Sequence, residues 1–254
     1  MITEYNRPST LESALELLAR KTPVTVPLAG GTLLNRKTDA DFAVVDIQAL
    51  PLKTIQLDGN TLMIGAGVNL QELIDHPDVP PILKEACKKE TSFNLRQMST
   101  VGGCIAGGDG KSILLSLLLA WNAQLEIQPG MEKITISELL PVRKQNLTGK
   151  LITSVTINTS VKVTYETITK SPADYPIAGV SIAQWPNGRT RVNVFGFGEL
   201  PVAAMDGTSA IGADLAAKNA FADSGDNHAS TAYRESMAGV LVKRCLEKLA
   251  SEVK

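Results

Sequence analysis

Apolar residues at Leu11, Ala14, Leu15 and Leu18 keep helical spacing, and Ser9 with Glu12 forms a capping-box pair ahead of them, so a short amphipathic helix is predicted after the N-terminus. Val24 to Pro27 and Phe42 to Ile47 then read as strands. Thr54 to Leu57 and Thr61 to Ile64 flank Asp58-Gly59-Asn60 and predict a hairpin. Asn69 is placed to cap a short helix over Leu70 to Ile74, and after Pro77, Pro80 and Pro81 helical spacing resumes from Ile82 to Lys89. The run Ile113 to Trp121, broken only by Ser116, is half the length of a membrane span and reads as a buried helix. Strands are predicted at Gln124 to Ile127 and Lys133 to Ile136 around Pro129-Gly130, and Leu151 to Ile157 alternates like a half-buried strand.

From about residue 160 the texture changes. Val161 to Ile168, Ile177 to Ala183 and Thr190 to Phe195 read as antiparallel strands, the last two joined through Pro186-Asn187-Gly188. Helices follow around Ala210 to Ala222 and Ala232 to Ala250. The irregular mixture of strands and helices predicts an α+β chain of two domains, 1–159 and 160–254, the second an antiparallel sheet backed by helices.

Two glycine-rich stretches interrupt these elements. Leu28-Ala29-Gly30-Gly31-Thr32-Leu33-Leu34-Asn35 follows the first strand, and Thr100-Val101-Gly102-Gly103-Cys104-Ile105-Ala106-Gly107-Gly108-Asp109-Gly110-Lys111-Ser112 leads into the Ile113 helix. Glycines cost backbone entropy and allow close approach to the main chain, so both stretches suit an anion held by N–H groups, as a phosphate would be. Gly110-Lys111-Ser112 resembles the end of a P-loop, but Ile105 stands where its first glycine belongs, and no dinucleotide fingerprint follows a strand.

Composition narrows the chemistry. Twenty-five Lys and Arg against 26 Asp and Glu leave no basic surface for nucleic acid or membrane. Cys87, Cys104 and Cys245 are isolated, which excludes an iron–sulfur or zinc site built by this chain alone and suits a reducing, cytoplasmic compartment. His76 and His228 sit in polar loops, and no nucleophile elbow, Cys–His pair or H-E-x-x-H is present, so no catalytic acid or base is assigned.

Taken together, Leu28 to Leu34 and, some seventy residues later, Arg96 followed by Thr100-Val101-Gly102-Gly103 resemble the paired FAD-binding motifs of one family. It is the flavoprotein subunit of the xanthine dehydrogenase and carbon monoxide dehydrogenase class of molybdenum hydroxylases. Leu151 to Ile157 resembles the strand ending that family's flavin domain. Lys170 to Val180 is similar to the start of its C-terminal domain, and Ala232-Tyr233-Arg234 through Arg244 looks like its last helix.

The resemblance implies a PCMH-type (vanillyl-alcohol oxidase-like) FAD-binding domain followed by a C-terminal domain of the carbon monoxide dehydrogenase flavoprotein type. It implies that Leu28, Ala29, Gly30, Gly31, Thr32, Leu33 and Leu34, with Thr100, Val101, Gly102 and Gly103, line the FAD, Thr32 and Thr100 offering hydroxyls. It also implies a molybdenum subunit and a 2Fe-2S subunit as partners, with electrons passing to this chain's FAD and on to NAD or another acceptor.

Three positions depart from the family's usual pattern: Cys104 replaces an Asn, Ile113 an Asp at the adenosine end, and Glu166 a Lys near the flavin. Asp109 is expected to stand in at the adenosine end. Asp174 is read either as a residue near the isoalloxazine edge or as a turn residue bonding its own backbone. These departures leave an alternative open, a non-catalytic assembly subunit of the same fold that has lost tight FAD binding.

Overall fold

The structure is a computed structural model and describes residues 1–34 and 40–251; Asn35, the end of the first glycine stretch, lies outside them. In chain order the elements are β1 (Ile2–Asn6), α1 (Leu11–Leu18), β2 (Thr25–Leu28), β3 (Phe42–Asp46), β4 (Ile55–Asp58), β5 (Thr61–Gly65), α2 (Leu70–Asp75), α3 (Pro81–Glu90), α4 (Phe93–Arg96), α5 (Val101–Gly107) and α6 (Ile113–Trp121). They continue with β6 (Gln124–Gln128), β7 (Glu132–Thr135), α7 (Ile136–Leu139), α8 (Arg143–Asn146), β8 (Leu151–Asn158), β9 (Lys162–Ile168), β10 (Ala178–Gln184), β11 (Thr190–Phe195), β12 (Val202–Gly207), α9 (Ala213–Ala220) and α10 (Thr231–Ser251).

The chain folds into two compact units, and the α+β class expected from the sequence is what is found. The first comprises 1–79, 91–107 and 124–156. It holds a parallel sheet of order β1-β3-β2 and a five-stranded sheet of order β4-β5-β8-β6-β7. Ala14 and Leu18 of α1 pack with Val45, Ile47, Leu50, Leu52 and Leu151 in one buried cluster. That burial is what fixes a helix of only eight residues, too short to persist alone.

The second unit comprises 80–90, 108–123 and 157–254. Its antiparallel sheet, β12-β11-β10-β9, packs through Val180, Ile182, Val192 and Val194 against Ala213, Ala217 and Phe221 of the α9 segment and Leu241, Val242 and Cys245 of α10. Every residue of α6 is buried, as its unbroken apolar run predicts.

Several local readings are corrected. The cap of α1 is Thr10, whose hydroxyl accepts from the Ser13 N–H, because Thr10 is the last residue with extended backbone. Ile136 begins α7 instead of ending β7, since Glu138 accepts the Thr135 N–H at 2.9 Å and turns the chain into a helix. The glycine stretch from Val101 to Gly107 is helical, not open loop. A Cβ at Gly102 would sit 2.8 Å from the Ala66 Cβ, so the glycine lets α5 lie directly on the chain leaving β5. Asn69 does cap α2, with both hydrogen bonds of the box to Glu72 formed.

A cavity between two glycine turns

The first turn leaves the C-terminal end of a parallel strand, where open α/β sheets commonly receive ligands. Strand β2 is fixed in register by Leu28 opposite Asp46 of β3 and by the Ile47 N–H donating to the Leu28 carbonyl at 3.0 Å. The Gln48 side-chain amide then holds the Ala29 carbonyl at 2.9 Å. Asp46, buried, anchors the same corner by accepting from Tyr5 Oη at 2.5 Å and from the Gln48 N–H at 2.9 Å. Beyond this point the chain turns through Gly31 at φ 70°, left-handed backbone that favours glycine.

Among the described residues, no main-chain N–H from Gly30 to Leu34 donates to a protein acceptor, although all five residues are half-buried. Half-buried backbone donors need an acceptor, and the described residues supply none.

The second turn is different. The Val101 N–H donates to the Val68 carbonyl at 3.0 Å, Gly102 to Ala66 at 2.9 Å, and Gly103 to Thr100 Oγ1 at 3.1 Å. Three donors at the start of α5 are therefore already satisfied. What this turn presents is a surface without Cβ atoms, together with the Thr100 hydroxyl, one of whose lone pairs is filled by the Gly103 N–H and whose proton is left to donate.

The two turns interlock. A Cβ on Gly30 would fall 1.7 Å from the Met98 carbonyl oxygen, and one on Gly107 would fall 2.4 Å from Leu33 Cδ1. Ser99 Oγ donates to Thr32 Oγ1 at 3.3 Å across the same seam. The segment carrying Ser99 is held behind by Arg96, whose Nε donates to Gln71 Oε1 at 3.3 Å and whose guanidinium lies over the Phe93 ring.

Between the turns lies a cavity of about 270 Å³, bordered by Ala29 to Leu34 on one side and by Thr100, Gly102, Gly103, Ala106 and Gly107 on the other. Apolar walls come from Val26 and Pro27 of β2, from Ile47 just after β3, and from Leu147, Leu151 and Ile152. Among the described residues one cation, Lys150, borders it, bridged to Glu132 at 2.7 Å and hydrogen-bonded to Asn146 at 3.0 Å. The lining fits part of a dinucleotide: apolar walls for a flat ring or a chain, and unfilled N–H groups for an anion, in a space smaller than a whole cofactor of that size needs.

Of the residues expected from the sequence, Ala29, Gly30, Gly31, Thr32, Leu33, Leu34, Thr100, Gly102 and Gly103 border this cavity. Leu28 supports Gly31 from the strand end, and Val101 is buried. Asp109 and Asp174 belong to the second unit. Asp109 is exposed and accepts from the Lys111 N–H at 2.9 Å, and the Asp174 N–H donates to the Ser171 carbonyl at 3.1 Å, so both close local turns. Sequence reasoning missed Ile47, Leu147, Lys150 and Ile152; only Lys150, a charge opening an alternating strand, gave any signal.

The departures also have places. Ile113 is 3% exposed at the start of α6, and Glu166 is paired with Lys248 at 2.5 Å. Cys104 is half-buried on α5. Among the described residues no group of three or more His, Cys, Asp or Glu could hold a metal ion, and no helix is long and apolar enough to cross a membrane.

Residues 1–159 match the family described as the FAD binding domain in molybdopterin dehydrogenase. The chain is 31% identical to the uncharacterized protein YgfM of Escherichia coli (strain K12), the alignment covering 95% of this chain and 94% of that one. It is 27% identical to the 6-hydroxypseudooxynicotine dehydrogenase complex subunit alpha of Paenarthrobacter nicotinovorans, over 96% and 93% of the two chains. Its fold superposes on a chain of carbon monoxide dehydrogenase from Hydrogenophaga pseudoflava with a TM-score of 0.82 at 22% identity, covering 99% of this chain and 98% of that one.

Proposed function

Because this chain belongs to the family of FAD-binding domains of molybdopterin dehydrogenases, we propose that it is the electron-transferring flavoprotein subunit of a heteromeric molybdenum hydroxylase resembling xanthine dehydrogenase. FAD is its cofactor, and its class is that of an oxidoreductase component. The observation that carries the reading is the pair of interlocked glycine turns, with five main-chain N–H groups that meet no acceptor among the described residues, beside an apolar cavity.

In this reading the main chain from Gly30 to Leu34 holds the diphosphate, with the hydroxyls of Thr32 and Thr100 as further donors. Leu28, Val101, Gly102 and Gly103 shape the seat. The FAD-binding domain spans 1–159 and the C-terminal domain 160–254. Bound FAD supplies the chemistry, accepting electrons and passing them on, while the chain binds, orients and shields it. No acid or base is required of the protein.

The relative named as a subunit of a dehydrogenase complex supports the partner assignment: a molybdenum-cofactor subunit that oxidises the substrate and a subunit carrying two 2Fe-2S clusters. NAD or another acceptor is proposed to take the electrons, and the cytoplasm is the proposed location.

A specific pair of observations favours a second reading. Ile113 is buried and Glu166 is engaged by Lys248, so neither is available to a cofactor as the family's usual Asp and Lys are. A chain of this kind could persist as an assembly subunit without tightly held FAD. The absorbance spectrum of the purified chain, before and after adding FAD, separates the two. Peaks near about 370 and 450 nm that survive desalting are expected; a colourless chain that retains no added flavin overturns the first reading in favour of the second.

A further inference from the structure

The seam between the glycine turns carries an inference about one residue that neither turn contains. We propose that Ser99 is a positioning residue for the cofactor: it holds the Thr32 hydroxyl so that the Thr32 proton is left to donate into the cavity. The inference rests on the FAD reading above.

Ser99 is 8% exposed and clamped on both sides of its Cα. Its N–H donates to the Leu95 carbonyl at 2.7 Å, and its carbonyl accepts from the Leu70 N–H at 2.9 Å. The adjoining Met98 carbonyl fills the space where a Gly30 side chain would stand, so the Ser99 hydroxyl is delivered to the first turn by rigid backbone. There it donates to Thr32 Oγ1 at 3.3 Å. A hydroxyl has one proton and two lone pairs. With an acceptor site filled from behind, Thr32 keeps its proton for a ligand in the cavity it borders.

Thr100 repeats the arrangement on the opposite wall. Its oxygen accepts from the Gly103 N–H at 3.1 Å, which again leaves the proton free. Among the described residues, the two hydroxyls that border the cavity are thus both set by donors behind them, one from Gly103 in the helix that follows it and one from Ser99, 67 residues away in sequence. The second case is built only by the tertiary fold, and it couples the two turns through a single hydrogen bond.

The test is a set of FAD dissociation constants measured by flavin fluorescence quenching on the full apo chain, for wild type, Ser99→Ala, Ser99→Thr, Thr32→Val and Ser99→Ala/Thr32→Val. Loss of one oriented hydrogen bond predicts about 3- to 10-fold weaker binding for Ser99→Ala and about tenfold for Thr32→Val. The double variant should bind within about twofold of Thr32→Val, because Ser99 acts only through Thr32. Ser99→Thr, which keeps the hydroxyl, should restore the wild-type constant.

Losses that multiply in the double variant, or wild-type binding by Ser99→Ala, overturn the inference while leaving the FAD reading intact. So does a Ser99→Ala chain whose apo melting temperature falls by more than about 5 °C with no recovery of affinity in Ser99→Thr, since the side chain then acts on folding. A wild-type chain that takes up no FAD removes the reading itself.

Discussion

Gly30→Ala is the sharpest perturbation the structure offers, because Gly30 is glycine for contact and not for conformation. Its added Cβ would lie 2.4 Å from the Met98 carbonyl carbon and 1.7 Å from the Met98 carbonyl oxygen, the latter half the 3.4 Å at which ordinary van der Waals contact begins. Both obstacles are main chain, so no rotamer relieves them, and the two turns must part by about as much again. Forcing one methyl into a packed seam costs about 1–3 kcal/mol, and a backbone obstacle puts this case at the upper end.

For a chain of this size about 3 kcal/mol lowers the melting temperature by roughly 6–12 °C. The same parting opens the Ser99–Thr32 hydrogen bond and displaces one wall of the cavity, so FAD affinity should fall at least about tenfold, equivalent to about 1.4 kcal/mol. Gly59→Ala is the control. Gly59 sits at φ 55° in the β4–β5 turn with nothing within 4 Å of its Cβ position, so alanine there costs about 1–2 kcal/mol of left-handed strain and leaves FAD binding untouched. Thermal unfolding of the apo chains and FAD titration measure both effects. A Gly30→Ala protein that melts and binds like wild type would refute the reasoning.

Three further outcomes follow from the second unit. Arg234 is fully buried, donates to the carbonyls of Ile177, Ser224 and Ala229, and pairs with Asp226 at 2.9 Å; Arg234→Met strands all four partners and should cost about 3–5 kcal/mol in urea unfolding, with Arg234→Lys recovering only part. The Arg189 hydrogen bonds, with Arg191 beside them, hold the Asp206 carboxyl down to about 2 from the ordinary value near 3.8. A depressed carboxylate stabilises the fold above its unfolded value and loses that contribution as pH falls through its folded value, so Asp206→Asn should be less stable at pH 7 and should lose less stability between about pH 4 and pH 2; identical acid slopes would refute this. Burial pushes the Glu90 carboxyl up, yet it accepts the Leu114 N–H at 2.9 Å at the start of α6. Glu90→Ala should cost about 1–3 kcal/mol by stranding that donor, and Glu90→Gln, which keeps an acceptor, much less, both read by thermal unfolding.

The elements with strong local signals were legible. The Leu151 alternation, the Thr190–Phe195 strand and the apolar Ile113 run fold as their patterns predict, because burial on one face or all round leaves a periodic trace. Strand β12 left none: its residues Val202–Gly207 are mostly exposed or half-buried on the edge of a sheet, where alternation has nothing to enforce it. Helix α5 was hidden for the opposite reason. Its Gly102 and Gly103 read locally as a loop, and only packing against Ala66 makes a glycine helix worthwhile.

The cavity divides the same way. The sequence by itself determined that two glycine turns exist, that no cysteine or histidine cluster competes with them, and which family pattern they follow in order and spacing. Tertiary structure decided their roles. Among the described residues, backbone donors are left open at Gly30 to Leu34 but closed at Val101 to Gly103, because the second turn lies beside the carbonyls of Val68 and Ala66 and the Thr100 hydroxyl, and the first meets no such acceptor. Whether an N–H is available to a ligand depends on which acceptor the fold brings within about 3 Å, and that distance is a property of no single stretch of sequence.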